Sequence, residues 1–228
     1  TPGFDLDGQT TSVLGSQDIL LARWDEDGNA LWAHTAGGAC GLGSEADNGS
    51  RIAFDPAEQR VIISGRYDCP TTYFGSHVIT GSADMTPDMF VASYNADGDC
   101  LWAIGTRGPL GTREILVDDA SDVSIFAQNS ATVTFQGTTP ATVLPGACVA
   151  KYDMDGGLLS AERILVNGNV QHASWVGADE WVFGGFISNG AELYGQPITL
   201  GSPTNDGFVA RTTTDGTIGW ITTFRSSV

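Results

Sequence analysis

The amino-acid sequence predicts an all-β fold assembled from one repeated unit of four antiparallel strands. Three observations predict it. A strand, turn and strand pattern recurs four times along the chain; two further apolar runs of strand length precede three of the copies; and thirty glycines and nine prolines punctuate the 228 residues. Many short strands joined by turns have this composition, and helices are expected to be scarce.

The recurring hairpin is the first element. Ile19-Leu20-Leu21-Ala22-Arg23-Trp24 leads through Asp25-Glu26-Asp27-Gly28-Asn29 to Leu31-Trp32, and the pattern returns 70 residues later from Met89-Phe90-Val91-Ala92 through Asp97-Gly98 to Leu101-Trp102. A third copy runs from Cys148-Val149-Ala150 to Asp155-Gly156, and a fourth from Phe208-Val209-Ala210 through Asp215-Gly216 to Trp220. Asp-Gly between two alternating strands marks a hairpin, because the turn needs a residue that accepts positive φ. Gly28, Gly98, Gly156 and Gly216 are therefore read as structural turn positions. Trp32, Trp102 and Trp220 are read as packing residues of the repeat rather than sugar-stacking platforms.

An aromatic element lies upstream of each hairpin, at Phe4-Asp5, Phe74-Gly75, Phe135-Gln136 and Tyr194-Gly195. Its spacing follows that of the hairpins, so the repeat is long. Ahead of it, Arg51-Ile52-Ala53-Phe54 pairs with Val61-Ile62-Ile63-Ser64-Gly65, and Ile115-Leu116-Val117 with Val123-Ser124-Ile125-Phe126. The last such pair is Ala173-Ser174-Trp175-Val176 with Trp181-Val182-Phe183. Four strands in about 60 residues is the size of a propeller blade. The expected architecture is a β-propeller of four-stranded antiparallel blades.

The segment from Asp88 to Trp102, with the copies at Leu20 and Phe208, resembles the SBBP-type repeat, a seven-bladed-like bacterial β-propeller family. Its units read roughly Gly-x-Asp-x-Phe-Val-Ala-x-Tyr-x-x-Asp-Gly-x-x-x-Trp. The third copy departs from the pattern, with Cys148 at the Phe position and Ser160 at the Trp position. The resemblance extends over essentially the whole chain. It implies a secreted propeller and brings no assigned catalytic residue.

Repeat boundaries divide a single propeller domain, or part of one, into a half blade at 1–38 and blades at 39–108, 109–168 and 169–228. The first copy lacks its two leading strands, which gives fourteen strands, or about three and a half blades. An open ring leaves exposed edges, so a completing partner is expected. A longer parent chain is favoured. The alternatives are a homodimer closing a seven-bladed ring, and a four-bladed ring with one thin blade.

Charge narrows the choice of partner. With 27 acidic against ten basic side chains, and Lys151 as the one lysine, the formal net charge is −17. Such a surface repels phosphate backbones and anionic membranes, so nucleic acid and membrane insertion are excluded as expectations. A protein or polymer partner remains.

Few residues suggest chemistry. Asp25 and Asp27, and likewise Asp153 and Asp155, resemble the opening of a calcium loop, but Ala36 and Ile164 stand where an EF-hand has its twelfth-position glutamate. A plain hairpin turn is the expected role, with calcium the weaker alternative and no other cofactor indicated. Cys40 follows the last strand of one blade and Cys69 the second strand of the next, which places both loops on one face. A disulfide between them is expected, whereas Cys100 and Cys148 are read as buried thiols. His34, His77 and His172 fall on different units, and no catalytic motif is found. The expected function is a noncatalytic binding or structural module, extracytoplasmic in a secreted, periplasmic or cell-surface setting. A fragment of a propeller hydrolase or lyase and a self-assembling surface or filament protein are the alternatives.

Overall fold

The computed structural model describes residues 3–41, 46–82, 86–177, 179–200 and 205–224; the side chain of Phe4 lies outside what is described. Every regular element among these residues is a β-strand. The chain divides into two compact units, Thr1–Leu110 and Gly111–Val228.

In the first unit, β1 (Gly3–Leu6) and β2 (Gln9–Ser12) form a small hairpin, and β3 (Ile19–Trp24) pairs antiparallel with β4 (Ala30–Ala36). A full repeat follows: β5 (Asn48–Asp55), β6 (Arg60–Tyr67), β7 (Thr71–Phe74), β8 (His77–Thr80), β9 (Asp88–Tyr94) and β10 (Cys100–Arg107). Strands β5, β6, β9 and β10 are hydrogen-bonded in that order, and β7 and β8 form a separate hairpin inserted between β6 and β9. Alternation explains the packing. Ile63, Phe90, Ala92 and Tyr94 turn to one side of the sheet and join Ile19, Ala36, Phe74 and Ile79 in a single buried cluster.

The second unit contains β11 (Leu110–Val117), β12 (Val123–Asn129), β13 (Val133–Phe135), β14 (Ala141–Val143), β15 (Gly146–Tyr152), β16 (Leu158–Gly177), β17 (Glu180–Leu193), β18 (Gln196–Pro197), β19 (Asp206–Thr213) and β20 (Ile218–Phe224). The order β11-β12-β15-β16 makes one repeat, and β16-β17-β19-β20 makes the next. Strand β16 serves both, its first part pairing β15 and its second part β17. Where the repeat boundary would need a loop, Asn167 takes a φ of 49° inside a register shift. A bulge therefore re-aims the strand without interrupting it.

Thirteen of these strands, with β16 counted in both of its parts, account for the fourteen read from the sequence. The other seven add to that reading. The upstream aromatic element is a hairpin of its own, formed by β1 and β2, β7 and β8, β13 and β14, and the end of β17 with β18. Phe74, Phe135 and Leu193, beside Tyr194, are buried in these hairpins, so each closes one edge of its repeat's core.

Loops within the first unit are fastened by polar bonds. The buried Asp47 carboxylate accepts the Gly38 N–H at 2.8 Å and the Asp68 N–H at 3.0 Å. Gly37 and Tyr73 exchange both backbone hydrogen bonds. Cys40 and Cys69 are joined as a disulfide with their Cα atoms 5.7 Å apart.

Candidate functional site

The acidic turns are built by their first residue. Asp25 Oδ1 accepts the N–H of Asp27 at 3.0 Å and of Asn29 at 2.8 Å, while the Gly28 N–H closes on the Asp25 carbonyl. Asp153 does the same for Asp155 at 3.0 Å and Gly157 at 2.7 Å. At the equivalent place in the second copy the acceptor is the amide oxygen of Asn95, which takes the Asp97 and Asp99 N–H groups at 3.0 and 2.9 Å. In the fourth the Thr217 nitrogen lies 3.1 Å from both the Thr213 hydroxyl and the Asp215 carboxylate. The neutral Asn95 thus performs the task of Asp25 and Asp153, so the position requires a local acceptor and not a charge. Asp25 and Asp153 build turns, with Asp27 and Asp155 donating their backbone N–H to them. Gly28, Gly98, Gly156 and Gly216 have φ of 85°, 86°, 84° and 87°, the left-handed conformation that such a turn demands. No group of three or more His, Cys, Asp or Glu side chains able to hold a metal ion is found among the described residues.

Of the thiols and imidazoles, Cys100 and His34 line one cavity of about 330 Å³ with Tyr94 and Asp99. Cys148 is fully buried, and desolvation pushes its thiol up to about 12. Cys100 is only half-buried, but burial likewise pushes it up to about 12, and its Sγ–H points to the Trp102 carbonyl. Neither is a thiolate near neutral pH, so neither is an activated nucleophile. His34 stacks on Trp32, with ring centroids 5.4 Å apart, His77 meets the Cys100 carbonyl oxygen at 3.1 Å, and His172 meets Glu114 at 3.3 Å.

The three equivalent tryptophans differ in surroundings. Trp102 is 8% exposed, and Trp32 is half-buried with its Nε1–H donated to the Ala96 carbonyl at 2.9 Å. Trp220 is 43% exposed. Expected to pack like the other two, it lies on β20, whose ladder runs only to β19 among the described residues.

The opening that suits a ligand lies in the first unit, between β3 and β5. One cavity of about 360 Å³ is lined by Ile19, Leu20, Leu21, Ile52 and Ile63, together with Gly49, Ser50 and Arg51. A second, of about 190 Å³, shares Leu21 and Ile52 and extends to Phe54, Val61, Trp32 and Arg23. Together they form one apolar cleft. Leu20, Ile52 and Phe54 are 45%, 65% and 56% exposed, although each lies on a regular strand. At the far end Arg23 and Trp32 both donate to the Ala96 carbonyl, which fixes the rim. An apolar recess of this size suits apolar side chains. None of these residues stood out as a site in the sequence. The signal available was the alternation of Ile52 and Phe54 on one face, beside a first copy short of two strands.

No family model matches the chain. A 132-residue stretch, 54% of the chain, is 28% identical to a protein of Acanthamoeba polyphaga mimivirus described as an uncharacterized WD repeat-containing protein. The chain covers 9% of that protein's length. The similarity is to a repeat protein, in keeping with the repetition of strands described above. Among the described residues no helix is long and apolar enough to cross a membrane, which leaves β-barrel spans aside.

Proposed function

We propose that the chain is part of an extracytoplasmic β-propeller that works as a noncatalytic binding module. The observation that carries this reading is the way in which successive repeats bury one another. In the second unit Phe126 of one repeat projects onto Trp181 and Phe183 of the next, with ring centroids 5.1 and 5.8 Å away. Neighbouring blades of a propeller bury such side chains between them, and here two four-stranded portions of one sheet, joined through β16, do so. WD repeats and SBBP-type repeats are both blade-forming, so the two resemblances support the same architecture.

The binding role is supported by the apolar cleft beside β3 and by the commitment of the acidic turns and thiols to structure. The Cys40–Cys69 disulfide supports an oxidising compartment. Protein or polymer partners fit an acidic scaffold of this kind, and further blades from a longer chain fit its first copy, in which β3 pairs with β4 alone among the described residues.

Electron microscopy of the native protein, with its mass measured in solution, tests the architecture. A closed ring of blades is expected. An extended or two-layered particle overturns it. The noncatalytic reading fails if turnover on glycan, ester or peptide libraries is abolished by a single side-chain change.

A further inference from the structure

The acidic hairpin turn closes on a different residue in each copy, namely Asn29, Asp99, Gly157 and Thr217. The first two copies make the same side-chain bond with the partners exchanged. Asn29 Nδ2 donates to the Asp25 carboxylate at 2.9 Å, whereas Asn95 Nδ2 donates to the Asp99 carboxylate at 3.2 Å. Either first residue also accepts the N–H of the fifth, at 2.8 Å for Asp25 and 2.9 Å for Asn95. The turn is therefore indifferent to the exchange. What the exchange moves is the carboxylate, from the first residue of the turn to the fifth.

The fifth residue is the one that lines a cavity. Asp99 belongs to the recess of about 330 Å³ enclosed by His34 and Thr35 of β4, the β7–β8 turn at Gly75-Ser76, and the hairpin from Tyr94 to Cys100. Asn95 instead lines the apolar cleft, beside Arg23. Tyr94 is buried and Cys100 half-buried, while His34, Ser76 and Asp99 are open to solvent. Small residues leave the room. Cys100 stands opposite Tyr94 in the ladder, where the third copy sets Leu158 opposite Tyr152 and the fourth sets Ile218 opposite Thr212. A Cβ added at Gly137 would lie 2.6 Å from Leu158 Cβ, but one at Gly75 would lie 3.7 Å from Cys100 Cβ. Among the described residues that line the recess, Asp99 is the one carboxylate, and none is lysine or arginine.

We propose that this cavity receives the cationic end of a basic side chain from a partner protein. Asp99 pairs with the ammonium or guanidinium group, Ser76 and His34 offer further acceptors, and the methylene stem lies against Tyr94 and Cys100. Lysine and arginine side chains settle in this way, with the stem on apolar surface and the head on a carboxylate. The volume is at the small end of ligand pockets and suits one side chain. A formal net charge of −17 draws such a partner towards the surface. The inference rests on the binding-module reading for its choice of a protein partner, but the preference of the cavity for a cation is measurable without partner or ring.

Arginine and lysine, each capped as the N-acetyl methylamide, serve as probes and are titrated onto the protein while its amide resonances are followed by NMR. Their uncharged counterparts, capped citrulline and capped Nε-acetyl-lysine, are the controls. Saturable shifts at Ser76, Asp99 and Cys100 are expected with a cation, and the controls should bind about fivefold more weakly or worse, as on loss of one partly exposed ion pair. Asn95→Asp combined with Asp99→Asn rebuilds the turn of the first copy at unchanged net charge and should abolish the preference for cations. Cys100→Leu, which introduces the residue of the third copy, should fill the cavity and weaken cation binding by a similar factor; the exchanged turn decides the matter if that variant unfolds. Absence of saturable shifts with both cations, equal binding of the controls, or a cation preference retained by the exchanged turn would overturn the inference. Tighter binding of free arginine than of capped arginine would overturn the partner protein as its source. A closed ring seen by microscopy with a cavity indifferent to cations defeats this inference alone; cation binding without a ring defeats the propeller reading alone.

Discussion

The Phe126 ring meets the Trp181 indole edge-on, with centroids 5.1 Å apart and planes inclined at 78°. Both side chains are at most 2% exposed, and both belong to one buried cluster of the second unit. Truncating Phe126 to alanine leaves a cavity between two repeats and should destabilise the protein by about 3–5 kcal/mol. In a double-mutant cycle with Trp181→Ala, urea denaturation should reveal a coupling of roughly 0.5–1.5 kcal/mol from the edge-to-face geometry.

Gly28 and Gly98 occupy equivalent turns with φ of 85° and 86°, but in different surroundings. A Cβ added at Gly28 meets nothing within 4 Å, whereas one at Gly98 lies 2.6 Å from His34 Nε2 and 2.7 Å from Trp32 Cδ2. Gly28→Ala should cost about 1–2 kcal/mol, the backbone strain alone. Gly98→Ala should cost about 1–3 kcal/mol more, because the Trp32–His34 stack must move. Chemical denaturation of the two variants measures the difference.

The disulfide between Cys40 and Cys69 spans a separation of 29 residues. In the chain-entropy model, closing such a loop contributes roughly 3–4 kcal/mol. Cys40→Ser should lower the unfolding free energy by about that amount, and reduction of the native protein should reproduce the loss. Equal stability of the oxidised and reduced forms would contradict a structural role for the bridge.

Cys100 and Cys148 should resist iodoacetamide at neutral pH for as long as the protein is folded, since burial holds both thiols protonated. Mass spectrometry should find no alkylation before denaturation and two labelled sites after it, with the Cys40–Cys69 pair unmodified. Of the two, the half-buried Cys100 should react first as denaturant is added.

Asp25 gives the turn a pH dependence. Hydrogen bonds from Asn29, first through its side chain and then through its backbone, hold its carboxyl below the ordinary 3.8. A carboxylate depressed in the folded state contributes stability that is present above that ordinary value and lost as pH falls through the lowered one. The Tm of Asp25→Ala should therefore lie below that of the native protein at pH 7, and the gap should narrow as the solution is acidified past the carboxylate range. A gap independent of pH would assign the turn's stability elsewhere.

Much of this arrangement was legible in the sequence, because repetition converts weak local signals into one strong one. Ile63, Ala92 and Ile125 announce their strands by lying in short apolar runs, and each is seen again in another copy. Shorter elements were not legible. β7 and β8 have only four residues each, and Phe74-Gly75 looks like a loop until the ladder between Thr71 and Thr80 is seen. The boundary expected near residue 168 is a bulge within β16, since Asn167 and Gly168 carry a turn signal that the ladder on either side overrides. The cleft lay beyond sequence reasoning for another reason. Leu21, Ile52 and Val61 look like ordinary core residues, and only the structure shows the recess that they line.

Strand β16 passes from one repeat into the next over twenty residues. A pull on either repeat is therefore carried straight into the other along covalent backbone, with no slack linker to absorb it. Melting of one sheet would strip the outermost rung from its neighbour, so the pair should yield to heat or force in a single step and not one at a time.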